Sequence, residues 1–264
     1  MGCVGSAAGG MAWVERLREL PRVIASLQPR LRGGLLVAPV SYIAAQYYCE
    51  AQVDLAIARG EVVTPEKDEG RRIHEMVLAM KPVELEELVE RISSGRRCAC
   101  RFPLLAEVED VPVAGVPDAL VFEGGRPVRV VELKTVEAIP PSPWRDHAVQ
   151  VQVYGLLLDL MGFDCSSLKL SVWYARRGWH LLLLLRSTVS FEGVLERLEE
   201  AHPNDLRAFT LGYSRAEAER LVRWALSYWR GEREPVPTRN PRKCARCAYR
   251  SECPYTSLRE GALA

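Results

Sequence analysis

The sequence predicts an α/β protein whose core is a mixed sheet flanked by helices. Helical periodicity dominates residues 12–95, short strands follow, and helices return toward the C-terminus. The 264 residues, 48% of them hydrophobic, are enough for one substantial domain with a small appendage.

Helices are predicted before the sheet. Residues 12–30 have a helical pattern, and the next helix begins near Ser41, a suitable N-cap, and ends near Gly60. Thr64-Pro65 opens a further helix, because proline fits the first helical position. The stretch "PVELEELVERISSG" carries an apolar stripe at helical spacing and predicts another helix.

Strands are predicted from Arg97 onward. Arg97–Glu107 forms the first strand, and Val111–Glu123 forms a hairpin with Val128–Thr135 through the turn "EGGR". A proline-rich loop, "IPPSPW", leads to a helix over Arg145–Met161. The remaining elements are strands at Leu168–Ala175 and His180–Arg186, and helices at 190–201 and 214–230, the last opening with a capping box, Ser214 to Glu217.

Composition limits the functional classes. The formal net charge of +1 gives no overall indication of nucleic-acid binding. No stretch approaches the ~20 apolar residues of a membrane span, and the N-terminus lacks the apolar core of a signal peptide. The eight cysteines therefore suggest a reducing, cytoplasmic compartment, where clustered cysteines indicate metal binding or catalysis.

The strand "VVELKT" poses the central question. Glu132 and Lys134 are two residues apart, so both side chains lie on one face of a strand that is otherwise apolar. Burying an unpaired charge costs roughly several kcal/mol. Either the two residues form a buried ion pair, or the strand belongs to a metal-dependent active site.

Asp118, in "GVPDALVF", lies on the strand paired with "VVELKT". The hairpin is expected to bring Asp118 and Glu132 to one end of the sheet with Lys134. Two such carboxylates repel each other unless a divalent cation lies between them, and Mg²⁺ or Mn²⁺ prefers oxygen ligands of this kind. A water bound there would be a nucleophile, and Lys134 would orient it or stabilise charge on a phosphate.

Three further side chains are candidates for the same site. His74, in "EGRRIHE", is either a metal ligand or an ordinary packed or exposed residue. Gln150 and Tyr154 are four residues apart on the helix after "VVELKT" and share a face. Tyr154 is either a core residue, or the pair reaches the site to hold Lys134 or the nucleic-acid backbone.

The tail contains a cysteine cluster. Cys244, Cys247 and Cys253 follow the last helix, and three thiolates leave a tetrahedral or cluster site one ligand short. Cys49 is the natural fourth ligand, and spacing alone also permits a structural zinc site. The competitors for the fourth place are Cys3, Cys98, Cys100 and Cys165.

The tail is also basic, with aromatic residues between its cations. Such a surface suits single-stranded nucleic acid, although a solvated charged face explains it equally well. The residues are Arg239, Arg242, Lys243, Arg246 and Arg250, with Tyr249 and Tyr255 interleaved.

Taken together, the motifs resemble the RecB-like branch of the PD-(D/E)XK nucleases that carry an iron–sulfur cluster, and especially the Cas-four exonucleases of CRISPR adaptation. The resemblance covers residues 38–257. "SYIAAQYYCE" resembles the N-terminal cysteine motif of that family, and "CARCAYRSEC" matches its C-x₂-C-x₅-C. "GRRIHE", "GVPD", "VVELKT" and "QVQVY" match its G-x-x-x-H, G-x-x-D, E-x-K and Q-x-x-x-Y.

The resemblance implies a restriction-endonuclease-like PD-(D/E)XK core and two metal sites. In the first, Mg²⁺ or Mn²⁺ is bound by His74, Asp118, Glu132 and the carbonyl of Leu133. Lys134 is the catalytic lysine, and Gln150 and Tyr154 complete the site. In the second, a cluster, most often 4Fe–4S, acts as a structural staple and ties the two chain ends together through Cys49, Cys244, Cys247 and Cys253; the zinc site that the spacing permits is the less favoured alternative.

The expected function is that of a metal-dependent DNA exonuclease acting on single-stranded ends or overhangs. It would trim spacer precursors in CRISPR adaptation, with CRISPR integrase proteins as partners. The alternatives are a RecB-family repair exonuclease outside CRISPR and a non-catalytic nucleic-acid-binding subunit.

Four regions are expected on this basis. They are an N-terminal extension (1–37), a helical region with the first cluster cysteine and the histidine motif (38–95), the nuclease core (96–190), and C-terminal helices with the cysteine-rich tail (191–264).

Overall fold

The computed structural model describes residues 12–63, 68, 84–177 and 205–255. Its helices are α1 (Ala12–Ser26), α2 (Val40–Arg59), α3 (Leu85–Ser93), α4 (Arg145–Leu160), α5 (Arg215–Trp229) and α6 (Pro241–Ala245), with a 3₁₀ turn at Arg32–Gly34. Its strands are β1 (Ala38–Pro39), β2 (Cys98–Cys100), β3 (Leu104–Val108), β4 (Val111–Gly115), β5 (Ala119–Glu123), β6 (Arg126–Val136), β7 (Lys169–Arg176) and β8 (Leu206–Gly212).

The strands form two sheets. The larger has the order β2-β5-β6-β7-β8, in which β6 and β7 run parallel with α4 between them in the chain, and the other neighbours are antiparallel. The smaller has the order β1-β4-β3, with β1 parallel to β4. The predicted mixed sheet flanked by helices is confirmed.

Helix α4 connects the layers of the fold. It contacts β3, β6 and β7, and it also contacts helices α2 and α5. Its central residues, including Val149, Val153 and Leu156, are buried. A helix that is apolar on several faces is stable only when other elements cover it. This packing fixes α4 against β6, where the candidate site lies.

Several predicted elements form close to their expected bounds. Helix α4 and the hairpin of β5 and β6 agree with the prediction. Helix α5 begins after Ser214, whose hydroxyl accepts a hydrogen bond from the Glu217 N–H at 3.4 Å, as the capping box predicts. The Ser41 N-cap is wrong, because α2 already begins at Val40 and no side chain caps it.

Two predicted strands are each divided at a proline. The strand expected at Arg97–Glu107 is β2 and β3, with Pro103 between them, and the strand expected at Val111–Glu123 is β4 and β5, with Pro117 between them. Proline has no N–H to donate to a ladder. At each proline the chain passes from one sheet to the other. Asp118 lies at one of these crossings.

Strand β8 is absent from the sequence prediction. It pairs antiparallel with β7, and most of its residues are exposed or half-buried. Among the described strands it lies at the edge of the sheet, and it lacks the apolar run by which buried strands are recognised. The strand predicted at His180–Arg186 lies outside the described residues. So do the predicted helices at 190–201 and from Thr64.

Candidate active site

Strand β6 carries Glu132 and Lys134 on one face, as its period predicts. The Lys134 ammonium donates a hydrogen bond to Oε1 of Glu132 at 2.8 Å. Glu132 is 4% exposed, whereas the Lys134 side chain is 23% exposed. The predicted ion pair therefore exists, with the lysine as its more accessible partner.

Asp118 lies immediately before β5 and beside Glu132. The β5–β6 ladder pairs Ala119 with Val131, so Asp118 and Glu132 are the next residues along the two strands. Oδ2 of Asp118 accepts a hydrogen bond from the Leu133 N–H at 2.7 Å, and Asp118 is 5% exposed. The structure thus brings the two predicted carboxylates together where β5 begins.

Gln150 joins the ion pair from α4. Its Oε1 accepts a hydrogen bond from Lys134 Nζ at 2.9 Å, and its Nε2 donates to Oε1 of Glu132 at 2.8 Å. Nε2 also lies 3.3 Å from the Tyr154 hydroxyl, which donates to the Val116 carbonyl at 3.1 Å. The four side chains form one continuous network, in which the amide of Gln150 fixes both partners of the ion pair.

Gly115 allows Tyr154 to reach this network. A Cβ atom at Gly115 would lie 2.8 Å from Val40 and 2.9 Å from the Tyr154 ring. Distances this short are not tolerated, so a larger residue would displace α2 or the tyrosine. The end of β4, the start of α2 and the Tyr154 ring are therefore in close contact because position 115 has no side chain.

Electrostatics keep the two donors of the site protonated. Burial alone would lower the pKa of Lys134, but the charges of Glu132 and Asp118 outweigh it, so this pKa is raised. Burial, with a contribution from the Glu132 charge, holds the pKa of Tyr154 well above its ordinary value. At neutral pH Lys134 is therefore an ammonium group, and Tyr154 carries a neutral phenol hydroxyl.

Asp146 is a site residue that the sequence reasoning missed. Burial raises the pKa of its carboxyl, and backbone hydrogen bonds and the charges of Lys134 and Lys243 partly offset that effect. The carboxyl therefore lies within electrostatic reach of both lysines. Asp146 precedes Gln150 by four residues on α4, so the i, i+4 spacing could have revealed it.

His147 is held as a neutral imidazole near the site. Burial, followed by the charge of Lys134, lowers its pKa to about 3. Its Nδ1 lies 2.8 Å from the Tyr174 hydroxyl, which also accepts the Trp144 N–H at 2.9 Å. Tyr174 is the register partner of Lys134 on β7. This tyrosine therefore fixes the start of α4 beside the parallel pair of β6 and β7.

The donor set of the site suits a hard divalent cation. Asp118 and Glu132 present buried carboxylates on neighbouring strands, and such oxygen donors match Mg²⁺ or Mn²⁺. The other predicted ligand side chain, His74, lies outside the described residues. Within the described ranges, no group of three or more His, Cys, Asp or Glu side chains is arranged around a single ion position.

Comparison with known proteins identifies the family. A model of the PD-(D/E)XK nuclease superfamily matches residues 37–254, most of the chain. The chain belongs to this superfamily. One solved structure, described as "Crystal structure of SSO0001", is 15% identical with a TM-score of 0.43, and the match covers 92% of this chain and 95% of that chain. Curated proteins gave no significant match.

Membership confirms the superfamily that the motif order indicates, and it implies a metal-dependent nuclease. PD-(D/E)XK nucleases typically use Mg²⁺ or Mn²⁺, in agreement with the paired carboxylates. None of the helices in the described ranges combines the length and apolar character that a bilayer-spanning segment requires.

The nuclease has a second candidate site in its tail. Cys49, Cys244, Cys247 and Cys253 line one cavity. Burial raises the pKa of Cys247, and the charges of the other three thiols raise it further. The competing cysteines within the described residues, Cys98, Cys100 and Cys165, do not line this cavity. The structure therefore favours Cys49 as the fourth member of the group.

A break in α2 presents Cys49 to the tail. Cys49 has extended backbone angles, φ −167° and ψ 110°, inside an otherwise helical stretch. The next N–H, that of Glu50, donates to the Val236 carbonyl at 3.2 Å instead of continuing the helix. The Thr238 N–H donates to the Cys49 sulfur at 3.4 Å. The tail thus pairs with the backbone where the helix is interrupted.

Glu50 stabilises the same junction between α2 and the tail. It is fully buried, and its carboxylate accepts hydrogen bonds from both terminal nitrogens of Arg233 and from the Val236 N–H at 2.7 Å. Removing one partner from such a pair leaves a buried charge and costs about 3–5 kcal/mol. A buried polar anchor therefore attaches the tail to α2, next to the cysteine group.

Tyr249 differs from the predicted stacking surface. Tyr249 is 3% exposed, donates its hydroxyl to the Gly60 carbonyl at 2.9 Å, and accepts the Val62 N–H at 3.1 Å. It anchors the tail to the end of α2 and has no free face for a nucleobase. Of the basic tail residues, Lys243 lies over the ring of Tyr48, with its Nζ 3.9 Å from the ring centre.

Proposed function

We propose that this PD-(D/E)XK nuclease is a Mg²⁺- or Mn²⁺-dependent exonuclease that degrades single-stranded DNA ends. The observation that carries the proposal is the network in which Gln150 fixes Lys134 and Glu132 beside Asp118. A purely structural ion pair does not require a second buried carboxylate next to it.

Asp118, Glu132 and the Leu133 carbonyl would hold the cation, with His74 as a further ligand. When bound, the cation supplies Lewis-acid stabilisation of phosphate charge and lowers the pKa of a bound water. The protein contributes rigid positions for its ligands, because Asp118 is tied to the Leu133 N–H and Glu132 to Gln150.

Lys134 would act on the scissile phosphate. Its ammonium remains charged, is oriented by Glu132 and Gln150, and is the most accessible polar group of the network. It can donate to a phosphate oxygen as negative charge develops there. Gln150 and Tyr154 serve as positioning residues, since each holds its neighbour and Tyr154 is itself anchored to the Val116 carbonyl.

The cysteine group would hold a 4Fe–4S cluster as a structural staple. Four thiols around one cavity match the ligand number of such a cluster, and the N–H of Thr238 already donates to the sulfur of Cys49. Iron and acid-labile sulfide, measured in protein purified without oxygen, test this assignment. Colourless protein containing one zinc ion would replace it with the zinc alternative.

A role in CRISPR adaptation, trimming spacer precursors beside an integrase, is supported by the order of the sequence motifs. Pull-down of an integrase by the tagged chain would support this role. Activity on DNA ends without any such association would favour the repair nuclease.

The experiment that tests the exonuclease proposal compares two single-stranded DNA substrates of the same sequence, one linear and end-labelled, the other covalently closed. With Mn²⁺ we expect progressive loss of label from the linear strand and an intact circle, and no reaction with EDTA. A cut circle would make the protein an endonuclease. Binding without cleavage of either substrate would make it a nucleic-acid-binding subunit.

A further inference from the structure

A groove lies between α2, the start of α4, α5 and the tail. The residues that define it are three aromatic side chains and three cations: Tyr47, Tyr48, Trp224, Arg145, Arg220 and Lys243. Within the part of the chain that the structure describes, no carboxylate lines this groove. We call these six residues the aromatic–basic groove.

Two of its cations rest on aromatic rings. The guanidinium of Arg145 lies 5.0 Å from the centre of the Tyr47 ring, and the Lys243 ammonium lies 3.9 Å from that of Tyr48. Neither has an ion-pair partner within 4 Å among the described residues, whereas Arg220 is paired with Glu217 at 2.7 Å. Elsewhere, exposed arginines pair with carboxylates, as in Arg18–Glu86, Arg91–Glu87, Arg215–Glu219 and Arg223–Glu109.

A cation that lies over an aromatic ring keeps its charge available to a bound anion, whereas a cation paired with a carboxylate does not. Arg145 is exposed, and the tyrosine ring beneath it restricts its position without neutralising it. Lys243 is further fixed by donating to the Tyr48 carbonyl at 3.2 Å. The groove therefore holds positive charge in place with little need for reorganisation on binding.

An exposed aromatic surface accompanies the charge. Trp224 is 39% exposed although it is large and apolar. Its ring lies 4.9 Å from that of Tyr47, whose hydroxyl is tied to the Leu221 carbonyl at 2.7 Å. Arg233 covers the Trp224 ring at 4.7 Å and is itself held by Glu50. The indole is thus fixed in orientation while more than a third of its surface faces solvent.

The groove and the candidate active site share helix α4. Arg145 is the first residue of α4, and Gln150 is little more than one turn further along the same helix. The two residues are therefore about 7.5 Å apart along the helix axis.

We propose that the aromatic–basic groove binds the single-stranded nucleic acid that leads to the active site, with Arg145 and Lys243 contacting phosphates and Trp224 stacking on a base. This rests on the proposed nuclease function. Rigid cations without carboxylate partners beside an exposed ring suit an anionic backbone with unpaired bases. A duplex, whose bases are stacked on each other, cannot use the indole face.

The test is equilibrium binding of a fluorescent oligothymidylate, measured by anisotropy in EDTA so that no cleavage occurs. A hairpin duplex of equal nucleotide number is the comparison substrate. The variants are Trp224→Ala, Trp224→Phe and Arg145→Ala. Arg126→Ala, which removes an exposed arginine from the start of β6, is the matched control. Thermal unfolding of each variant confirms that it is folded.

Trp224→Ala should weaken oligothymidylate binding about tenfold, and Trp224→Phe should restore most of it, since stacking needs a ring. Arg145→Ala should reduce the slope of log affinity against log salt by about 0.7, the value for one phosphate contact on a single strand. Trp224→Ala should leave that slope unchanged, Arg126→Ala should behave as the native chain, and duplex binding should be insensitive to Trp224.

Native affinity and salt slope in both Trp224→Ala and Arg145→Ala would overturn the groove assignment, even if the protein proves to be an exonuclease. Equal loss of single-strand and duplex binding would also overturn it. Conversely, a chain that binds oligothymidylate through these residues but cuts nothing with Mn²⁺ would retain the groove and lose the proposed activity.

Discussion

The carboxylate site on β6 and the cysteine site of the tail are built by opposite strategies. In the first, the register of neighbouring strands places Asp118 beside Glu132, and one helix supplies the residues that hold them. In the second, Cys49 meets thiols that follow nearly 200 positions later, through a break in α2. The difference teaches that the carboxylate site is set by the register of neighbouring strands, whereas the cysteine site depends on the meeting of distant segments.

The difference has an energetic counterpart. The β6 site is internally hydrogen-bonded, since Gln150 and Lys134 share Oε1 of Glu132. The positions of its side chains are therefore fixed by contacts within the folded core. The cysteine site is attached by Glu50, Arg233 and the backbone of the tail. Substitutions at the β6 site should accordingly reduce cleavage and leave the cysteine site intact, whereas substitutions at the junction should disturb the cysteine site.

The largest expected effect is on catalysis at β6. Lys134→Ala should lower the rate of cleavage by at least about 10²–10³-fold, the usual loss when a group that stabilises developing charge is removed. The iron content should stay close to native, whereas the unfolding midpoint should fall, because Glu132 keeps the Gln150 donor but loses its charged partner. Single-turnover rates with Mn²⁺, with Arg126→Ala as control, measure this. A rate near native would remove Lys134 from the mechanism.

The next effect concerns the cysteine site. Cys247→Ser should abolish iron binding and lower the unfolding midpoint by more than about 10 °C, because a metal site that closes the chain contributes folding free energy. Cys98→Ser, outside the cavity, is the control and should keep its iron. An unchanged melting curve for Cys247→Ser would contradict a structural role.

Glu50 tests whether the cysteine site depends on its attachment to α2. It is not one of the four cysteine ligands, but it holds the tail segment that carries three of them. Glu50→Ala leaves Arg233 without its buried partner at a cost of about 3 kcal/mol, equivalent to roughly 6–12 °C. Iron content should fall although all four cysteines remain. Calorimetry and iron analysis measure both effects. Full iron content with an unchanged midpoint would show that the anchor is dispensable.

The smallest effect is expected at Tyr154. Tyr154→Phe removes the hydrogen bond to the Val116 carbonyl while keeping the ring packed on Gly115. We expect a loss of about 1 kcal/mol in stability and less than tenfold in cleavage rate. Loss of activity as large as in Lys134→Ala would mean that the hydroxyl touches the reacting groups.

Much of the fold and the β6 site could be predicted because the signals are local. The capping box at Ser214 and the alternation in "VVELKT" report single turns or strands, and the hairpin follows from its own turn. The order of motifs then indicated the family that the whole-chain match confirms.

The missed features depend on tertiary context. Pro103 and Pro117 divide strands because the chain changes sheets there, which no local pattern specifies. Asp146 comes near Lys134 only when α4 packs on β6. Glu50 meets Arg233 only when the segment after α5 packs against α2. Tyr249 looked like a surface aromatic, but the end of α2 covers it.

The central claim is that the end of β6 is a catalytic centre and not a structural ion pair. The most direct measurement is degradation of end-labelled single-stranded DNA by the native chain and by Glu132→Gln, each with Mn²⁺ or EDTA. The variant keeps an oxygen for Lys134 and removes one carboxylate. We predict loss of label only for the native chain with Mn²⁺. Equal degradation by the folded variant would contradict the claim and return the Glu132–Lys134 pair to a structural role.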